Sequence, residues 1–144
     1  MDKAQQSYEQ EKQPHMLELA SSYVERLTGE RYTLDILGIN KGVALINNNG
    51  ERLELKFWSS GLADQVYLAL RLALAKVFSY QVESLPIILD DILVRFDENR
   101  QRSALELLAE LGKNQQIWLF TCQRSVYDMA QSIMGIDCHR LSRS

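Results

Sequence analysis

The sequence is poor in the residues that cross-link or interrupt a chain, with 2 cysteines and 2 prolines among 144 residues. Cys122 and Cys138 form no CxxC pair and no zinc-ligand pattern, which argues against a disulfide scaffold or a zinc module. We therefore expect two ordinary thiols in a reducing, cytoplasmic setting, each acting as a small core residue, because free cysteine is among the most buried residue types.

Long hydrophobic runs are also missing. The longest apolar stretch, near residues 66–78, is interrupted by Arg71 and Lys76, so no membrane-spanning segment is expected. The first residues, MDKAQQSYEQEKQ, contain no apolar core of a secretory signal. The formal net charge of −3 argues against a basic nucleic-acid clamp. A hydrophobic content of 46% excludes global disorder.

The first part of the chain shows two kinds of periodicity. Apolar residues recur at spacings of three and four over residues 15–27, which predicts a helix that Gly29 ends. Three further segments read as strands of an antiparallel meander, polar on one face: residues 31–37, 43–46 and 52–57. An Asn-Asn-Asn-Gly sequence predicts the turn between the last two.

The second part alternates helices and strands. A long helix over residues 62–81 is apolar on most of its circumference, so we expect it to be deeply buried. After it we predict strands over residues 85–89, 116–120 and 137–141, and helices over residues 98–111 and 126–134. This order predicts an α/β fold, in which crossover helices join the strands of a parallel sheet. Chemistry in such sheets collects beyond the carboxyl ends of the strands.

Asp90 and Asp91 end the apolar strand at residues 85–89. Adjacent carboxylates at a strand end can hold Mg²⁺ through one residue and polarise water with the other. The alternative is that they cap the next loop or mark the exit of the strand to solvent. Asp97, before the following helix, reads as an N-cap when taken alone.

Ser59, Ser60 and Gly61 stand directly before the long helix. Hydroxyl groups, an open backbone and the positive end of a helix together make an anion site. The alternative reading is a helix N-cap and nothing more.

The combination of these features resembles a known family. The segments WSSGLADQVYLALRLALA, LPIILDDILVRFDENR and IWLFTCQR resemble the C-terminal lobe of an ABC-type ATPase head of the SMC, SbcC and YhaN-like group, within the P-loop NTPase superfamily. The resemblance covers about residues 16–134. The segment LASSYVERLTGERY also looks like the end of a coiled coil that enters the head. The resemblance implies an N-terminal helix over residues 1–29, which ends a coiled-coil stem. The lobe follows over residues 30–144.

The resemblance implies a role for each matching residue around one ATP. Asp90 matches the Walker B aspartate that orients Mg²⁺ through water. Asp91 stands where the family places the carboxylate, often Glu, that positions the attacking water. Gln123 stands where many members carry a switch histidine that senses the γ-phosphate. An amide at this position can donate a hydrogen bond but carries no charge.

The resemblance also implies contacts between two heads. Ser59, Ser60 and Gly61 match the signature motif, which touches the γ-phosphate of ATP held by the opposite head. Asp97 matches the D-loop aspartate at the interface of a head-to-head homodimer.

No G-x-x-x-x-G-K-[ST] sequence occurs in the chain, so the phosphate cradle of a P-loop is missing. In the family this motif lies on an N-terminal lobe, which becomes the expected partner, in the same or another chain. ATP and Mg²⁺ would need that lobe, and this chain alone is expected to be inactive.

The function implied is ATP hydrolysis at a head–head interface, in DNA repair or chromosome maintenance, with DNA contact implied by the resemblance alone. The alternative is a stand-alone lobe that lost catalysis and serves as a protein-interaction module. A response-regulator receiver also uses paired aspartates. It would need a lysine after a later strand and a third central aspartate, which the order of elements does not supply.

Overall fold

The computed structural model describes residues 3–36, 42–80 and 85–142, with side chains from residue 15 onward. The helices and strands, in chain order, are α1 (Lys3–Thr28), β1 (Thr33–Ile36), β2 (Val43–Ile46), β3 (Arg52–Leu53), α2 (Ser60–Ser79), β4 (Ile87–Asp90), α3 (Glu98–Leu111), β5 (Ile117–Phe120) and α4 (Arg124–Gln131). They divide into two compact units, the first from α1 to α2 and the second from β4 to α4. Residues 37 and 81, included in two of the predicted elements, lie outside the described residues.

Helix α1 buries one face, formed by Ala20, Tyr23, Val24 and Leu27. Their spacing of three and four residues places these side chains on one stripe of the helix. The helix begins at Lys3, well before residue 15, where the apolar spacing begins, because its first half is rich in Gln, Glu and Lys, which favour helix. It ends as predicted beside Gly29, whose φ of 76° is a left-handed conformation that suits glycine.

The antiparallel meander is confirmed, with β2 in the middle of a three-stranded sheet of order β1-β2-β3. The turn between β2 and β3 forms as predicted, because the Asn47 side chain accepts hydrogen bonds from the backbone N–H groups of Asn49 and Glu51. These two bonds satisfy donors that the sheet leaves unpaired.

The third strand is shorter than predicted. It ends at Leu53, and residues Leu55–Phe57 form a 3₁₀ turn with no buried side chain. The Phe57 N–H donates to the Glu54 carbonyl at 2.9 Å. The Trp58 indole donates to the Leu53 carbonyl at 3.0 Å. These local bonds replace the strand ladder and lead the chain into α2.

Helix α2 buries one face, including Val66, Ala69 and Leu72. Its neighbour in the same unit is α1, and Gln65 links the two by donating from Nε2 to the Leu27 carbonyl at 2.8 Å. The expectation that this helix is deeply buried holds for that face but not for the whole helix, because a second apolar stripe is exposed. That stripe consists of Tyr67, Leu74 and Phe78.

The second unit contains the predicted parallel sheet, in which β4 pairs with β5. Helix α3 connects the two strands and spans the predicted residues, Glu98–Leu111. The predicted strand over residues 137–141 is wrong: the structure describes those residues without strand conformation, and their mostly polar, exposed side chains provide no apolar face to bury. Helix α4 occupies Arg124–Gln131 and ends earlier than predicted.

The cysteines are not core residues, contrary to expectation. Cys122 is exposed and Cys138 is half-buried. Within the described part of the chain, no helix combines the length and apolar character that crossing a membrane requires.

Candidate functional site

The two adjacent carboxylates lie at the carboxyl end of β4. Asp90 is the last residue of the strand, exposed and paired in register with Phe120 of β5. Asp91 has a φ of 51°, a left-handed conformation that Asp tolerates better than most residues. Its N–H donates to the Phe120 carbonyl at 2.7 Å, which extends the bonding between the strands by one residue. The chain therefore turns sharply at the residue that offers the second carboxylate.

A hydroxyl group connects this carboxylate to the end of the neighbouring strand. Thr121 directly follows β5 and donates from Oγ1 to Oδ1 of Asp91 over 3.5 Å. The same hydroxyl oxygen accepts the backbone N–H of Gln123 at 3.1 Å. Asp91 is half-buried, so the hydrogen bond from Thr121 helps to orient its carboxylate. One side chain thus links the segments that follow the two strands.

Gln123 occupies the N-cap position of α4 but makes no side-chain cap bond. Its Oε1 atom instead accepts from Nε2 of Gln101, 3.5 Å away. Gln101 lies on α3 and is only 7% exposed. Its Nε2 also donates to the carbonyl of Leu93 at 3.1 Å. The structure thus brings Asp90, Asp91 and Gln123 together at one edge of the parallel sheet, as the order of elements predicts.

Asp97 caps helix α3. Its Oδ1 atom accepts the backbone N–H of Arg100 at 2.9 Å, and its Oδ2 atom lies 3.4 Å from Nε of the same arginine. The carboxylate is exposed. The predicted N-cap is therefore confirmed, and the role at a head–head interface stays a prediction.

Ser59, Ser60 and Gly61 belong to the first unit. The Oγ atom of Ser59 accepts the backbone N–H of Leu62 at 3.1 Å, so Ser59 is the N-cap of α2. Both serines are exposed. A hydroxyl that accepts one N–H keeps its own proton to donate, so the cap leaves Ser59 able to bind an anion. The structure therefore supports the cap reading and is compatible with the anion-site reading.

We refer to Asp90, Asp91 and Gln123 as the strand-end site. An exposed apolar surface borders it. Ile88 is 59% exposed, Trp118 48% and Phe120 44%. The parallel register places these residues on the same face of the sheet as Asp90. In the part of the chain that the structure describes, the sheet has two strands, so the outer edge of each lacks a partner strand. We refer to Ile88, Trp118 and Phe120 as the open sheet face.

The donor set fits Mg²⁺ in one specific way. Carboxylate oxygens are the ligands this ion prefers, and it is commonly held by one or two carboxylates together with substrate phosphates. The described residues contain no group of three or more His, Cys, Asp or Glu side chains that could hold a metal. Among the described residues, Asp90 and Asp91 therefore offer only part of the oxygen ligands that a Mg²⁺ ion requires.

Sequence reasoning missed Gln101 and Thr121. Gln101 occupies a position in the apolar stripe of α3, three and four residues before the buried Ala104 and Leu105. A polar residue at such a position signals a buried hydrogen bond. Thr121 lies between β5 and Gln123 and carries no comparable signal of its own.

Comparison with solved structures identifies the fold. An SMC head domain with a coiled coil and joint from Pyrococcus yayanosii matches 89% of this chain and 25% of its own, with a TM-score of 0.69 and 15% identity. A structure described by its work on ATP-driven dimerization and DNA stimulated activation of SMC ATPases matches 87% of this chain and 77% of its own, with a TM-score of 0.68 and 16% identity. The chain therefore has the fold of the C-terminal lobe of an SMC-type ATPase head.

Among curated proteins, the chain is similar to YhaN, an uncharacterized protein of Bacillus subtilis strain 168. The two are 34% identical over 122 residues, which is 83% of this chain and 12% of YhaN. The chain thus spans only a small part of the curated relative it matches. No family model matches the sequence. The resemblance inferred from the motifs is confirmed at the level of the fold and of this relative.

Proposed function

We propose that this chain is one half of an ATPase head, which binds and hydrolyses ATP when a lobe carrying a P-loop completes it. The observation that carries this proposal is the position of Asp90 and Asp91, which lie at the edge of a sheet whose open face is apolar. Exposed apolar side chains beside two carboxylates favour a site that a partner surface covers.

The open sheet face is the surface that the second lobe would cover. Burying a large apolar side chain completely contributes about 1.5–3 kcal/mol, so covering the exposed half of Ile88, Trp118 and Phe120 would contribute about 1 kcal/mol each. Within the described residues the sheet has two strands, so a further strand could pair at its edge. Both features favour a partner that extends this sheet rather than one that contacts it at a point.

The strand-end residues provide distinct chemical groups for hydrolysis of the phosphoanhydride bond to the γ-phosphate of ATP. Asp90 would hold Mg²⁺ through a water molecule, and the ion when bound would neutralise phosphate charge. Asp91 offers a carboxylate that can accept a hydrogen bond from the attacking water and orient it. Gln123 offers an amide N–H₂ group that can donate to the γ-phosphate. The missing P-loop motif explains why this chain alone would bind MgATP poorly and hydrolyse none.

A second head would complete each nucleotide site. Ser59, Ser60 and Gly61 present exposed hydroxyl groups and an open helix N-terminus, which suit the γ-phosphate of an ATP held by the opposite head. Asp97 would lie at this interface. Binding of ATP would then close the pair of heads, and hydrolysis would reopen it. The ATP-driven dimerization named for one structural neighbour supports this arrangement.

The biological setting follows from likeness alone. SMC-type heads point to DNA repair or chromosome maintenance, and DNA stimulated activation is named for the same neighbour. The net charge of −3 gives this chain no overall electrostatic attraction to DNA. Any DNA contact is therefore proposed for other parts of the assembly.

A second candidate function is a catalytically silent interaction module. It is favoured by Gln123, which carries no charge where a switch histidine would, and by Asp91, which is one methylene shorter than glutamate. In this case the open sheet face would still bind a partner, but the complex would not turn over ATP.

Co-expression with the P-loop lobe tests the proposal. We expect a stable complex that hydrolyses ATP. Trp118→Glu should abolish both complex and activity, because it places a charge in the middle of the open sheet face. Arg102→Glu, at an exposed position of α3, is the matched control and should leave the complex intact. A complex without ATP hydrolysis favours the interaction module, and a complex that tolerates Trp118→Glu contradicts the role of this face.

A further inference from the structure

We propose that Gln101 is a positioning residue, which fixes the end of the Gln123 carboxamide that faces the nucleotide. The inference rests on the proposed function, because it assumes that Gln123 contacts phosphate. It adds Gln101, which lies on α3. The role of Gln101 would be to direct the N–H₂ group of Gln123 to the phosphate.

The first step concerns the orientation of Gln101 itself. Its side chain is buried, and Nε2 lies 3.1 Å from the carbonyl oxygen of Leu93. A carbonyl oxygen only accepts hydrogen bonds, so the end of the carboxamide beside it must be the N–H₂ group. The backbone of Gln101 is held as well, because its N–H donates to the Asp97 carbonyl at 2.8 Å in the first turn of α3. Gln101 therefore has one stable orientation.

The second step transfers that orientation to Gln123. The N–H₂ group of Gln101 has a second proton, and Oε1 of Gln123 lies 3.5 Å from its nitrogen. Rotating the Gln123 amide by half a turn would place two N–H₂ groups against each other and lose this bond. The Gln123 backbone is fixed independently by its N–H bond to Thr121. The oxygen of Gln123 is thus directed to Gln101, and its N–H₂ group remains available to a ligand.

This orientation determines whether a phosphate would meet the partly negative oxygen or the partly positive N–H₂ group of Gln123. A free glutamine presents its oxygen and its nitrogen with similar ease, and the oxygen repels an anion. A histidine at this place could use positive charge, whereas an amide depends on which end faces the ligand. By orienting the N–H₂ group of Gln123, Gln101 would therefore provide the attraction for phosphate that a charged histidine would provide.

The principal test is steady-state ATP hydrolysis by the chain completed with its P-loop lobe. Gln101→Met has similar length and no donor. We expect it to lower kcat about tenfold, part of the loss known for removing one donor to a transition state, and to change KM for MgATP by less than about twofold. The matched control is Gln115→Met. Gln115 is 8% exposed, and its side chain donates to the Leu85 carbonyl at 3.1 Å, a hydrogen bond that does not involve Gln123.

Two outcomes support the inference over a purely structural role. Gln115→Met should leave kcat unchanged, even if it lowers the thermal midpoint as much as Gln101→Met does. In a Gln123→Leu background, Gln101→Met should cause no further loss, because its effect is exerted through Gln123. Losses that multiply in the double variant would overturn the inference.

A second variant keeps the inference testable if Gln101→Met does not fold. Gln123→Glu can still accept from Gln101, but it presents a carboxylate oxygen to the phosphate. We expect kcat at or below that of Gln123→Leu. Activity like that of the unaltered head would mean that the oxygen is the working end, and would overturn the inference. If Gln123→Leu itself leaves kcat unchanged, it is the proposed role of Gln123 that fails.

Discussion

The two sets of proposed ATP contacts are built in different ways. Ser59 and Ser60 are exposed. Ser59 is held at the start of α2 by the hydrogen bond that its Oγ accepts from the Leu62 N–H. Asp91 and Gln123, by contrast, are half-buried and connected through the hydroxyl of Thr121. The turn at Ser59, Ser60 and Gly61 thus offers groups outward from a helix end. The strand-end site is oriented from within its own unit.

This difference matches the chemistry proposed for each region. A group that contacts ATP on an opposite head needs to be accessible, and the rigid helix α2 behind it supplies its position. Groups that orient water and phosphate at the reacting centre need fixed directions, since small misplacements cost much of the rate. Variants should therefore have large catalytic effects at the strand-end site, and smaller, separable effects at the turn formed by Ser59, Ser60 and Gly61.

The largest effect is expected at Asp91. Asp91→Asn should lower kcat of the completed head by about a hundredfold or more, because an amide is a poor acceptor for the attacking water. Its stability should be unchanged, since Asn also tolerates the left-handed backbone at this position. ATP hydrolysis and nucleotide binding would be measured together, with Asp137→Asn as the control at an exposed position. Undiminished hydrolysis by Asp91→Asn would remove this residue from the mechanism.

The second effect concerns the packing of helix α2, which begins at Ser60. Gln65 is fully buried, donates to the Leu27 carbonyl, and leaves its own Oε1 without a partner. Gln65→Glu should lower the free energy of unfolding by about 3 kcal/mol at neutral pH, because it buries a charge beside a carbonyl oxygen. Burial would raise the pKa of the introduced carboxyl group, so the loss should grow as pH rises from 5 to 8.

Urea unfolding at both pH values would measure this loss, with Gln116→Glu as the exposed control. Equal stability of the two variants would show that Gln65 is not held as described. A loss that shrinks as pH rises would contradict the assigned cause.

The third effect separates the two roles of Ser59. Ser59→Ala should cost about 1 kcal/mol of stability through loss of the cap, whereas Ser59→Asn should cost less than about 0.5 kcal/mol, because Asn is an equally good cap. Both lack the hydroxyl group, so both should reduce ATP hydrolysis by paired heads. Full activity of Ser59→Asn would leave Ser59 with a capping role alone.

The smallest effect is a difference in thiol reactivity. Cys122 is exposed beside the strand-end site. Burial and the charge of Asp137 raise the pKa of the Cys138 thiol, which lowers its thiolate fraction at pH 8. Iodoacetamide should therefore modify Cys122 several times faster than Cys138, as mass spectrometry of the two peptides would show. Faster modification of Cys138 would contradict the described surroundings of both residues.

Local signals in the sequence predicted the helices better than the strands. Helix α3 has the predicted bounds because Asp97, the spacing of its leucines and Gly112 all act within the helix or next to it. The third strand was predicted too long, because the alternation over residues 52–57 cannot report that the chain turns at Leu55 instead of pairing. The exposed stripe of α2 was missed for a related reason, since an apolar side chain does not reveal what covers it.

The candidate site was predicted in the same uneven way. Asp90, Asp91 and Gln123 follow strands whose order implies a common sheet edge, and the parallel pairing of β4 with β5 confirms that edge. The bonds of Thr121 and Gln101 were not predicted. They join residues 22 and 30 positions apart in the chain, and no local pattern records such contacts.

The sequence by itself determined the order of the helices and of the strands up to β5, the caps at Ser59 and Asp97, and the polar residues that follow β4 and β5, because all of these depend on neighbours within a few positions. Tertiary structure alone decided which carboxylate takes a left-handed backbone, which amide end of Gln123 is free, and which apolar side chains stay uncovered. Those properties arise where distant segments meet, since hydrogen bonds and burial depend on proximity in space rather than along the chain.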